Sequence, residues 1–229
     1  MTGMLPALLF DLDGTLVDSA TDIARALTVI STARGGGVVD AAVVRPLVRL
    51  GAAALVSAAL GDFAQDQHRD LDDFRGALGA LPADPAAIYP GVEAMLALLA
   101  AQSRPMAIVT NKPEGLARTL LAGLAIDHYF QAIVGGDTAS APKPHRAPID
   151  HAIGMLGASA TAAVLIGDSD IDASAAQNAG VPFILFEGGY GADAWDGLAI
   201  HGRFRNFSEL PALIRSLTFG GEMVSYVGV

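Results

Sequence analysis

Four short apolar runs punctuate the chain: Ala7–Phe10, Met106–Val109, Ala163–Ile166 and Phe183–Phe186. Each is bounded by turn residues or by a polar cluster, and their length suits strands buried on both faces. Ala132–Val134 is a weaker fifth. Between these runs the apolar positions fall at helical spacing. Val92–Gln102 places Val92, Met95, Leu96 and Leu99 on one face. Pro113–Leu124 follows Asn111, which reads as an N-cap with proline near the first turn. Pro148–Leu156 and Asp172–Ala179 repeat the pattern. Strands alternating with helices predict an α/β fold, a Rossmann-like doubly wound parallel sheet covered on both faces.

The stretch from Asp18 to Ile88 breaks the alternation. It has no convincing strand, is rich in Ala, Leu and Val at helical spacing, and is interrupted at Gly35-Gly36-Gly37 and Gly61-Asp62. It is expected to form a helical cap subdomain inserted after the first strand, with the proline-rich Leu81–Pro90 as the return linker. The organisation predicted is a core of residues 1–17 and 89–229 with a cap of residues 18–88.

A length of 229 residues allows one or two domains, and 52% hydrophobic residues suit a compact core. The formal net charge of -10 changes the picture more. Such a surface repels nucleic acid, and it would also repel a small anionic substrate. A phosphate site here needs local positive charge from a cation, a lysine or backbone N–H groups. The absence of cysteine removes disulfides. Met1–Phe10 carries no basic residue and reaches Asp11 too soon for a secretion leader, and no run approaches the ~18 apolar residues of a membrane span. A cytoplasmic protein with no membrane and no nucleic-acid partner is expected.

Four polar clusters sit where strands finish, the edge at which open α/β sheets bind ligands. After the first strand, Asp11 and Asp13 stand two residues apart, so an extended chain would point both carboxylates to one side. They repel unless a cation joins them, and Mg2+ suits such oxygen ligands. A solvated Asp-Gly turn at Asp13-Gly14 is the plainer alternative. Thr110-Asn111-Lys112-Pro113 offers a hydroxyl beside a helix start, an anion site, though capping by Asn111 alone would explain it. Lys143 lies between Pro142 and Pro144, which restrict its backbone; in isolation it reads as a surface lysine. In Gly167-Asp168-Ser169-Asp170-Ile171-Asp172, acidic residues at a helix start favour the dipole by ~0.3–1 kcal/mol each, which accounts for Asp170.

The full string Asp11-Leu12-Asp13-Gly14-Thr15-Leu16-Val17-Asp18, following a strand, resembles the haloacid dehalogenase superfamily of phosphohydrolases. From Leu8 to about Tyr190 the chain is similar to the phosphoglycolate phosphatase-like branch, which carries a helical cap. The resemblance implies a Mg2+-dependent phosphatase that hydrolyses a small phosphate monoester through an aspartyl-phosphate. In that pattern Asp11 is the nucleophile and Asp13 the general acid and base. Thr110 holds a phosphoryl oxygen with Asn111 beside it, and Lys143 stabilises the nucleophile and the transferring group. Backbone N–H groups near Leu12 and Asp13 complete the phosphate cradle. The metal ligands implied are Asp11, Asp168 and the backbone carbonyl of Asp13, with Asp172 close by as a partner or water-mediated ligand. Dehalogenases of the superfamily lack a carboxylate at the Asp13 position, so its presence, with Thr15, favours phosphate chemistry.

Substrate choice in such proteins depends on the cap. The branch usually has a G-x-G turn before A-x-x-L; here Val48–Leu55 keeps only Gly51, with Arg49 in place of the first glycine, which weighs against phosphoglycolate itself. Arg45 and Arg49 are four apart and could share a helix face if it tolerates Pro46, one of them reaching a substrate carboxylate. Pairing with local acids is the plainer expectation for both. His68 reads as an exposed helix residue, His128, Tyr129 and Trp195 as packing, and Arg146 has no functional reading. The rival readings are a phosphosugar mutase of the same superfamily and a non-catalytic binding protein on the same fold. The partner expected is a small-molecule phosphate ester, the assembly a monomer or homodimer.

Overall fold

The structure, a computed structural model, describes residues 5–191 and 195–217. The tail beyond Phe219 lies outside the described residues. The first strand, β1 (Ala7–Phe10), leads into a helical stretch: α1 (Ala20–Ala33), α2 (Ala41–Val44), a 3-10 segment Arg45–Leu50, α3 (Ala52–Leu60) and α4 (Gln67–Gly79). Then come α5 (Val92–Ala101), β2 (Met106–Val109), α6 (Glu114–Gly123), β3 (Ala132–Val134), α7 (Ala147–Met155), β4 (Ala163–Gly167), α8 (Asp170–Ala179), β5 (Phe183–Phe186), β6 (Gly202–Phe204) and α9 (Leu210–Ser216).

The six strands form one parallel sheet in the order β3-β2-β1-β4-β5-β6. The four predicted strands and the weaker fifth are all present. The sixth escaped notice because it is a three-residue edge strand in which only Phe204 is buried. Alternation along β1 divides its side chains between the faces. Leu8 and Phe10 pack with Val92, Leu96 and Ile108, while Ala7 and Leu9 pack with Ile149, Ala152 and Ala176. Each fully buried leucine contributes ~1.5–3 kcal/mol. Because both faces are covered, the strands read as continuous apolar runs.

The register fixes where the polar clusters fall. Phe10 lies level with Ile108 on β2 and with Ile166 on β4. The residues just beyond β1 and β2, Asp11 and Thr110, therefore emerge at the same edge as Asp168, just beyond β4. Between β1 and β4 the chain reverses its direction of travel across the sheet, the crevice where such folds bind ligands.

The helices of residues 20–79 have their own apolar cluster, built around Ile23, Leu27, Leu55, Leu60 and Phe74. Arg34 ties the end of α1 to α4 through Asp70 at 2.6 Å and Asp73 at 2.9 Å. The chain enters and leaves this unit side by side: the Asp18 N–H donates to the Ala87 carbonyl and the Tyr89 N–H to the Leu16 carbonyl. No helix among the described residues is long and apolar enough to cross a membrane.

Three sequence expectations need correction. Asn111 does not cap a helix; α6 starts at Glu114 after Pro113, with no side-chain cap. The helix expected over Asp172–Ala179 begins two residues early, at Asp170, because Ser169 and Asp172 form a reciprocal capping box. Arg45–Leu50 is not an α-helix: Pro46 sits at the start of a tight 3-10 segment.

Candidate active site

Asp11, Asp168 and Asp172 converge beyond the ends of β1 and β4. All three are buried, and ligand oxygens from each lie within 4.8 Å of one another. Lys143, on the approach to α7, enters from the side. Its Nζ donates to Asp11 Oδ1 at 2.7 Å and to Asp172 Oδ1 at 2.6 Å. Asp172 Oδ2 accepts from the Ser169 hydroxyl at 2.6 Å, so both its oxygens are engaged. Asp168 accepts the Thr15 hydroxyl on one oxygen and the Tyr190 N–H on the other, each at 2.7 Å.

Close approach explains two glycines here. At Gly14, whose φ is 88°, a Cβ would lie 2.5 Å from Asp168 Oδ2. At Gly167 a Cβ would meet the Asp172 carboxylate at 2.7 Å.

Burial sets the electrostatics. It pushes the Asp11 carboxyl up from its ordinary 3.8 to about 7, helped by the Asp172 charge and opposed by Lys143. Asp168 is pushed well above the usual carboxylate range by burial, then by the charges of Asp11 and Asp172. For Lys143, burial favours the neutral amine, but Asp11 and Asp172 outweigh it and hold the ammonium above the usual lysine range. One lysine against three buried carboxylates leaves excess negative charge. Hard oxygen donors crowded in this way fit a divalent cation such as Mg2+.

Thr110, nearly fully buried at the end of β2, lines the same cavity. Its hydroxyl accepts the Lys112 N–H at 3.2 Å, which leaves the O–H free to donate. Asn111 clasps the backbone of Lys143 on both sides: its Oδ1 accepts the Lys143 N–H and its Nδ2 donates to the Lys143 carbonyl, each at 2.9 Å. Asp13 faces the cavity and pairs with Lys112, whose Nζ reaches its two oxygens at 2.7 and 3.0 Å.

The two cap arginines part company. Arg45 is held away from the cavity by Asp18 at 2.6 Å and lies over the Tyr190 ring, 5.8 Å from its centroid. Arg49 lines the cavity and approaches Asp170 at 3.5 Å. His68 is exposed, Trp195 packs against the second core cluster, and Arg146 pairs with Asp150 on its own helix at 2.6 Å.

Sequence reasoning missed Lys112, Tyr190 and Arg75. Lys112 had a signal, since it directly follows Thr110-Asn111 at a strand end. Tyr190 had none. Its hydroxyl donates to Asp18 Oδ1 at 2.9 Å and accepts the Ala20 N–H at 2.9 Å, across more than 150 residues of sequence separation. Arg75 reaches the cavity from α4.

A parallel sheet of this order, with carboxylates at the ends of β1 and β4 and a lysine between them, is shared with a known class. The haloacid dehalogenase-like hydrolase family model matches residues 8–186, and the chain belongs to that family. Within it, the chain is similar to phosphoglycolate phosphatases. It is 36% identical to that of Rhodobacter capsulatus over 220 residues, 94% of this chain and 100% of the relative. It is 38% identical to that of Yersinia pestis over 186 residues, 79% of this chain and 80% of the relative. Among solved structures, a predicted phosphoglycolate phosphatase from Haemophilus somnus superposes with a TM-score of 0.81 at 27% identity, covering 91% of this chain and 97% of that one.

Proposed function

We propose that this protein is a Mg2+-dependent phosphatase acting on a small phosphate monoester such as phosphoglycolate, through a phosphoryl group carried on Asp11. The observation that carries the reading is the buried contact of Lys143 with Asp11, beside Asp168. Its relatives named phosphoglycolate phosphatase support the same chemistry. Residues 18–88 act as a cap over the site and residues 1–17 and 89–229 as the catalytic core.

Asp11 and Asp168, with the backbone carbonyl of Asp13, would hold Mg2+, and Asp172, bonded to Lys143 and Ser169, would lie close by and orient its neighbours. The cation, when bound, offsets the repulsion between the carboxylates and an incoming phosphate. A carboxylate oxygen of Asp11 attacks phosphorus in line as the ester P–O bond breaks, and Asp13 gives its proton to the departing alkoxide. Asp13 then takes a proton from water, whose oxygen bonds to phosphorus as the Asp11–phosphorus bond breaks. Thr110, Lys143 and backbone N–H groups at Leu12 and Asp13 cradle the phosphoryl oxygens. Asn111 serves them by fixing Lys143.

The test is phosphate release from a panel of small esters with and without Mg2+, beside Asp11→Asn. Release that needs Mg2+ and is abolished in the variant supports the reading. Undiminished release by Asp11→Asn removes the nucleophile assignment.

A further inference from the structure

The cavity above Asp11 has two unlike halves. Its floor carries the carboxylates, the two lysines and Thr110. Its roof comes from residues 20–79. Among the described residues, every roof residue lining it is apolar or glycine except Arg49 and Arg75. Half-buried Val48 and Leu78 present apolar surface there, backed by Ile23, Leu55 and Phe74, which belong to the packed cluster of the helical unit.

The arginines of this helical unit differ in how fully they are occupied. Arg34 and Arg45 each hold a carboxylate at 2.6 Å. Arg49 and Arg75 have only 3.5 Å approaches, to Asp170 and Asp72. That length is at the outer edge of hydrogen bonding, and a loose, partly exposed pair contributes little stability. The two arginines of this unit that line the cavity are thus both loosely held and have donors to spare. An arginine fork matches a carboxylate in shape and charge.

Resting on the phosphatase reading, we propose that Arg49 and Arg75 bind a carboxylate of the substrate, and that the carbon body between carboxylate and phosphate bears an alkyl group. The substrate class is a phosphorylated hydroxy acid with an apolar branch. A sugar phosphate fits less well, because hydroxyls pressed on the apolar side chains of this roof lose water and find no side-chain partner there beyond the two guanidiniums. The same argument weighs against the phosphosugar mutase. Phosphoglycolate satisfies the charges but leaves the apolar surface unused.

The experiment compares 2-phospholactate, phosphoglycolate, isopropyl phosphate and glucose 6-phosphate with the unaltered protein and with Arg49→Gln, Arg75→Gln and the double variant. Isopropyl phosphate is phospholactate with a methyl in place of the carboxylate. The unaltered protein should prefer phospholactate to phosphoglycolate by roughly tenfold, the worth of one added apolar carbon. It should prefer phospholactate to glucose 6-phosphate by more. Each variant should lower the kcat/KM ratio of phospholactate over isopropyl phosphate by roughly tenfold, mainly through KM. Melting curves check that the variants keep the fold. A ratio indifferent to both substitutions, or glucose 6-phosphate turned over better than phospholactate, overturns this inference while leaving the phosphatase reading intact. No release from any ester by the unaltered protein removes both.

Discussion

Lys143 is the one cation within reach of Asp11 and Asp172 among the described contacts, and it is itself buried. Removing one partner of a buried ionic cluster is far costlier than never having built it. Lys143→Met should therefore destabilise the metal-free protein by ~3–5 kcal/mol, read as a lower melting temperature, with Mg2+ restoring part of the loss. An unchanged melting temperature would mean that the cluster is less tightly coupled than its 2.6–2.7 Å contacts indicate. Lys112 acts differently, by holding the Asp13 carboxylate at the cavity. Freed from it, Asp13 should shuttle protons less well: Lys112→Met is expected to lower kcat by ~100-fold, within the range of general acid–base effects, with KM changed less. At this scale strand ends singled out Asp11, Asp13, Thr110, Asp168 and Asp172, only the resemblance singled out Lys143, and Lys112 was passed over. Asp11, Asp13, Thr110, Lys143, Asp168 and Asp172 all come to one cavity. What the sequence hid was occupancy. Nothing local to Arg45 announces that Asp18, 27 residues away, has taken it, nor that Arg49 faces the cavity instead.

At the level of elements, the core strands were legible because both their faces are buried, which leaves unbroken apolar runs. The edge strand β6 was not, because one paired side and a short length leave almost no apolar signature. Helix starts were misjudged in both directions: Asn111, read as a cap, clasps Lys143 instead, and Ser169, not read as a cap, caps and lengthens α8. The helical unit of residues 20–79 hangs on Arg34, whose links to Asp70 and Asp73 join α1 to α4. Asp70 is buried, a burden that the Gln65 N–H and Arg34 outweigh, so its carboxyl is held below the usual range. A depressed folded-state value contributes stability above the unfolded value near 3.8 and loses it as pH falls through the folded one. Arg34→Ala should therefore lower the melting temperature at neutral pH, with the gap to the unaltered protein narrowing below pH ~3.8. A pH-independent gap would assign Arg34 a packing role alone. Tyr190 links this unit to the site, since its N–H holds Asp168 while its hydroxyl holds Asp18 and Ala20.

Across the whole molecule, an acidic protein is expected to bind an anion, and the fold resolves the conflict by concentrating cations at one crevice. Lys112 and Lys143 line it from below and Arg49 and Arg75 from above. The carboxylates beneath them carry a pH signature. Asp11 holds its proton more tightly folded, near 7, than unfolded, near 3.8, so metal-free stability declines as pH rises between those values. A cation must displace that proton, so the rise in melting temperature with a fixed Mg2+ concentration should be larger at pH 8 than at pH 6. An equal rise at both would argue that Mg2+ does not bind at Asp11. The central claim is that Asp11 carries the phosphoryl group in turnover. Rapid acid quench during turnover of a small phosphate ester with Mg2+, followed by mass spectrometry of the peptides, tests it directly. The account predicts a phosphoryl group on the Asp11 peptide, absent without substrate and absent in Asp11→Asn. Steady phosphate release with no phosphorylated peptide, or a phosphoryl group on another residue, would contradict it.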